Sequence, residues 1–122
     1  MSELKLTEEF GYLLDSINLI LERVQEIKQP ENFVNSPHGV MILDSISMRL
    51  QNIGETVKNI NKNFPGFLDK YPEIDWNKII KFRDFISHHY ESMDHEIVHN
   101  ICTNNIPDLK KATEKILKEI KT

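Results

Sequence analysis

Apolar residues that return every three or four positions dominate this chain, and that period decides its fold class before any other feature. The first run is Phe10, Leu13, Leu14, Ile17, Ile20, Leu21, Val24 and Ile27, the single stripe of an amphipathic helix. Thr7 is the expected N-cap, with Glu8 and Glu9 in the first turn, and Pro30 ends the element or follows its end. Residues 31–38 read as a loop that closes on Ser36-Pro37, a helix-start signal. The second helix is expected from about Pro37 to Phe64, with Leu43, Ile46, Leu50, Ile53, Val57, Ile60 and Phe64 as its seam. Met41 and Met48 fall about 140° from the nearest members of that seam. The first half of this helix is therefore apolar on two sides, which in so small a protein points to a subunit interface.

Pro65-Gly66 breaks the pattern, and a connector leads to a third helix from Trp76, capped by Asp75, to about Tyr90. Asp94 is the expected cap of a short fourth helix through Ile97, Val98 and Ile101. Asn104 or Asn105, with Pro107, is expected to start the last helix, whose stripe is Leu109, Ala112, Ile116, Leu117 and Ile120. No segment alternates with period two for long enough to form a strand. The expectation is an all-α, up-and-down bundle of four to five helices in one domain, residues 1–122.

The charge balance of -4 argues against a general nucleic-acid coat, which is usually basic. It leaves room for an enzyme that makes a few phosphate contacts. Cys102 is the one cysteine, which fits a reducing compartment. No apolar run approaches the roughly 20 residues of a membrane span, and the acidic N-terminal segment is unlike a signal peptide. A cytoplasmic location without membrane attachment is the expectation.

Reactive groups concentrate in the stretch KFRDFISHHYESMD. Arg83 offers a permanent positive charge and a planar fork suited to phosphate. His88 titrates near neutrality and can take or give a proton. Tyr90 adds a hydroxyl, and His89 lies beside His88. These groups suit metal-free RNA cleavage: a base for the ribose 2′-hydroxyl, a cation for the pentavalent phosphate and an acid for the leaving oxygen. No cofactor or metal is needed for it. On a regular helix Arg83 and Tyr90 share a face, whereas Arg83 and His88 lie about 140° apart. Either the helix distorts near His88 or a second subunit completes the site.

The ordered residues resemble the HepT-like family of HEPN domains. The resemblance runs from Leu50 to Leu117 through Leu50-Gln51-Asn52-Ile53-Gly54-Glu55, Tyr71-Pro72-Glu73-Ile74 with Trp76, Arg83-Asp84-Phe85-Ile86-Ser87-His88-His89-Tyr90 to Asp94, and Ile106-Pro107-Asp108-Leu109. The first 35 residues share helical character only. The resemblance implies a HEPN-like bundle and a homodimeric, metal-independent ribonuclease toxin. It also implies a partner, a nucleotidyltransferase antitoxin that adds AMP to the motif tyrosine. Carried over, Arg83 and His88 are the catalytic pair and Tyr90 is the modification target. The chain departs from the family at Asp84, where asparagine is usual. Asp84 stands one turn before His88, so a pair between them is expected, and it brings negative charge to the phosphate site. Gly54 reads as a close helix contact, with Glu55 placed to orient motif residues across it.

Two other functions compete. One is a non-catalytic helical module that binds a nucleotidyltransferase or its nucleotide. The other is a metal-binding protein using Glu91, His95 and His99, whose four-residue spacing presents ligands on one helix face.

Overall fold

The computed structural model describes residues 3–89 and 94–121, the side chains of 87–89 and 121 aside. Every regular element among them is helical, as the periodicity requires. Helix α1 spans Glu3–Val24. It begins a turn before Thr7, which lies inside the helix and does not cap it. Leu6 is the reason: it is buried one turn ahead of Phe10, so packing extends the helix toward the N-terminus. Ile27 is buried as well, but from beyond the helix end, where its N–H donates to the Val24 carbonyl at 2.9 Å.

The expected loop contains a 3-10 turn, Pro30–Phe33, whose Asn32 Oδ1 accepts from the Gln29 N–H at 2.9 Å. Helix α2 follows at Pro37–Asn63, with Ser36 Oγ accepting from the Gly39 N–H at 3.0 Å. A Cβ on Gly39 would collide with the Asn32 carbonyl, so this glycine lets α2 start directly on the turn. Ile46, Leu50, Ile53, Val57 and Ile60 are buried as the seam predicts. At its head Ile42 takes the buried place and Leu43 is only partly covered. Gly66, at φ 83°, adopts the left-handed conformation that turns the chain after α2.

A second 3-10 turn, Leu68–Lys70, leads to α3 at Trp76–His89. Asp75 caps it through the Lys78 N–H at 3.1 Å, and the Trp76 indole donates to the Tyr71 carbonyl at 2.9 Å. Helix α4, His95–Asn100, is capped by Asp94, whose Oδ1 accepts from the Glu96 N–H at 2.8 Å. The expected fresh start at Asn104 or Asn105 does not occur. A π turn, Ile101–Asn105, runs without a break into α5, Ile106–Lys121. Pro107 accounts for this: it cannot donate a hydrogen bond, and its ring crowds the preceding turn of an ordinary helix. The widened turn, in which the Ile106 N–H reaches back to the Ile101 carbonyl, makes the room.

Helix α1 packs against α2 and α5, and α2 packs against α3. Their buried side chains join in one cluster, with Phe10, Leu13, Ile17 and Ile20 of α1 meeting Ile46, Val57, Ile60, Ile86 and Ile116. No helix of the described residues is long and apolar enough to cross a membrane. The tightest helix contact is at Gly54. A Cβ there would stand 2.8 Å from Arg83 Cγ and closer still to Arg83 Cβ.

This contact separates two glycines that look alike in sequence. Gly54→Ala is expected to lower stability by about 1–2 kcal/mol, overpacking outweighing the gain in helix propensity. Gly11→Ala, where a Cβ meets nothing within 4 Å, is expected to raise it by up to about 1 kcal/mol. Urea unfolding of both variants checks the pair. Thr113 is fully buried in α5, and its hydroxyl has no hydrogen-bond partner among the described residues. Thr113→Val should therefore stabilise the fold by about 1 kcal/mol in the same assay.

Candidate functional site

The site begins with the missing side chain of Gly54. Because α2 carries no Cβ at that point, the stem of Arg83 lies directly on it. Glu55, the next residue on α2, then reaches the guanidinium, with Oε2 2.7 Å from Arg83 Nη2. On the other side Asp84 Oδ1 accepts from Arg83 Nη1 at 3.0 Å. Arg83 keeps 26% of its side-chain exposure, while both carboxylates are about half exposed. The guanidinium is thus held across the α2–α3 contact and still faces solvent. These three side chains together carry a net negative charge.

The expected orienting role of Glu55 matches this geometry. Asp84 pairs with its neighbour Arg83, and the expected pair with His88 lies outside the described residues. The side chains of His88 and His89 lie outside the described residues, as do Tyr90 and Glu91 entirely. Helix α3 remains α-helical through His89. The helix therefore does not distort between Arg83 and His88, and the two positions stand about 140° apart around its axis.

Sequence reading gave Phe85 no role of its own. It remains 40% exposed two residues from Arg83, and its ring stacks on Phe82 at 6.0 Å between centroids. The three-residue aromatic spacing was its only signal. Met41 and Met48, on the doubly apolar part of α2, are 59% and 62% exposed. They continue toward the site, since Met41, Met48 and Glu55 recur at seven-residue steps on one stripe of the helix.

Other candidate groups sit elsewhere. Nε2 of His99 lies 3.3 Å from the Ile27 carbonyl, and the ring meets Phe33 edge-on, which ties α4 to the turn before α2. Among the described residues no three His, Cys, Asp or Glu side chains gather closely enough to hold a metal ion. Burial pushes the Cys102 thiol up to about 12, so it stays protonated and unreactive at neutral pH.

A family model described as "Ribonuclease HepT-like" matches residues 13–116. "Putative RNase TTE0752" of Caldanaerobacter subterraneus is 30% identical over 90% of this chain and 92% of its own length. "Probable ribonuclease HepT" of Thermococcus cleftensis is 35% identical over 87% of this chain and 90% of its own. "Putative RNase MJ0127" of Methanocaldococcus jannaschii is 38% identical over 58% of this chain, and the match spans 56% of that protein. No solved structure gives a significant match. The matched residues run from the buried stripe of α1 through the arginine clamp to α5, and the chain therefore belongs to the HepT-like ribonuclease family.

Proposed function

We propose that this protein is a metal-independent endoribonuclease that acts as a homodimer, with Arg83 and His88 as its catalytic pair. The observation that carries the proposal is the guanidinium of Arg83, fixed by Glu55 across the Gly54 contact and open to solvent. Such a group binds a phosphate without first losing the freedom of a long side chain. In the reaction, neutral His88 takes the proton of the ribose 2′-hydroxyl. The 2′-oxygen attacks phosphorus as Arg83 balances the developing charge. The bond to the 5′-oxygen breaks, and that oxygen receives a proton from a charged histidine. The products are a 2′,3′-cyclic phosphate and a 5′-hydroxyl.

The dimer supplies the second histidine. One regular helix presents the Arg83 and His88 positions to different directions, so two copies related by a two-fold axis make a complete set. Exposed Phe85, two residues from Arg83, and Met41 and Met48, on the stripe of α2 that leads to Glu55, give the second copy an apolar surface to cover. A nucleotidyltransferase antitoxin is the proposed partner, with Tyr90 as its AMPylation target. An AMP group there would set bulk and negative charge in the path of the RNA phosphate. The negative balance around Arg83 favours one alternative, a non-catalytic module that binds the nucleotidyltransferase.

RNA cleavage in excess EDTA, wild type beside His88→Ala with intact masses recorded, separates the readings. Wild type should cut and leave 2′,3′-cyclic phosphate ends, while His88→Ala loses at least about 100-fold in rate. If neither cuts and neither mass carries an added AMP, the catalytic assignment is wrong and the binding module is the better account. The two carboxylates should part company in the same assay. Asp84→Asn is expected to lower KM for RNA several-fold, most clearly at low salt, because one competitor for Arg83 is gone. Glu55→Gln is expected to reduce kcat about tenfold or more, because Arg83 loses its fixed position.

A further inference from the structure

We propose that the groove between α1 and α2 is a subsite for one nucleotide of single-stranded RNA, its base on Tyr12 and its phosphate on Arg49. The inference rests on the ribonuclease reading for its ligand class, and on separate residues for its evidence. The groove has a volume of about 330 Å³ and is lined by Tyr12 and Asp15 from α1 and by Arg49, Asn52, Glu55 and Thr56 from α2. That is room for a single base or sugar, at the small end of ligand sites.

Three features make it a nucleotide site. Tyr12 stands off the buried stripe of α1 and leaves 60% of its surface exposed, a large aromatic face with no role in the core. Bases stack on such faces whatever their sequence. Arg49 is half-buried and forms no ion pair among the described residues. Asp15 and Glu55 line the same groove but neither is ion-paired to Arg49, and a guanidinium so placed, on a chain of net charge -4, is a ready phosphate ligand. Asp15 and Asn52 add acceptors, and Asn52 a donor, for base edges and ribose hydroxyls.

Glu55 joins the groove to the arginine clamp. It lines the groove and its Oε2 lies 2.7 Å from Arg83 Nη2. Arg49 and Glu55 are separated by about 9 Å along α2, a span suited to neighbouring nucleotides of one strand. A strand whose scissile phosphate meets Arg83 would pass its next nucleotide into the groove.

The test is fluorescence anisotropy with a fluorescein-labelled, single-stranded 2′-fluoro oligonucleotide, which lacks the attacking hydroxyl and is read as binding alone. Tyr12→Ala and Arg49→Gln should each weaken binding about tenfold, and Tyr12→Phe should bind as wild type does. Light scattering should show the oligomeric state unchanged, and in cleavage assays the effect should fall on KM with kcat within about twofold. The proposal is overturned if Tyr12→Ala and Arg49→Gln bind like wild type, or if wild type does not bind the oligonucleotide. It is also overturned if Tyr12→Ala alters assembly instead of affinity, because the groove would then be a subunit contact. Wild type that binds as described yet does not cut RNA would uphold the subsite and sink the ribonuclease reading. Cutting with unaffected Tyr12 and Arg49 variants would do the reverse.

Discussion

Arg83 and Gly54 share one contact, and the arrangement of the site follows from it. A helix surface normally holds its neighbour at a distance set by side chains. Here one side chain is absent, and the aliphatic part of an arginine fills the gap. The same contact brings Glu55 within 2.7 Å of the guanidinium. Packing and electrostatics are therefore one feature: the glycine sets the distance and the glutamate uses it. An ion pair between freely exposed side chains contributes little, because holding two long chains in one geometry costs entropy. At this crossing the arginine stem is already fixed by packing, which removes much of that cost.

The clamp also has a chemical consequence. Two carboxylates share one guanidinium, and the carboxyl groups are open to water on their outer sides. Under the proposed function, a phosphate arriving at Arg83 would meet an oriented cation that two carboxylates already outbalance. It would have to outcompete Asp84, which lies on the same helix as Arg83, while Glu55 reaches across from α2. In that proposal one carboxylate positions the cation and the other competes for it, although both sit at a similar distance.

The rest of the bundle keeps this crossing in place. Helix α1 lies against α2 and is braced by α5, and the corner where α1 turns into α2 is tied down by Phe33 and His99. The π turn before α5 makes room for Pro107, so a residue that usually starts a helix lies inside the continuous helical run from His95 to Lys121. Sequence reasoning placed a boundary there because a proline in a short window looks the same in both settings. It placed Thr7 as a cap for a similar reason, and only the burial of Leu6 shows that the helix begins earlier.

By itself the sequence determined the helical class, the caps at Ser36, Asp75 and Asp94, the buried seam of α2 and the density of reactive groups around Arg83. These depend on local chemistry: three-and-four periodicity, side-chain oxygens before a first turn, and residue types close together along the chain. Tertiary structure decided that Glu55 reaches Arg83 across the helix contact, and that Asp84 pairs with it. It also decided that Met41, Met48 and Phe85 face outward, and that Tyr12 and Arg49 share a groove. Each of these depends on two helices meeting at a given distance and rotation. That distance is set at Gly54 by an absent atom, and a one-residue signal of that kind acquires meaning only once the neighbouring helix is known.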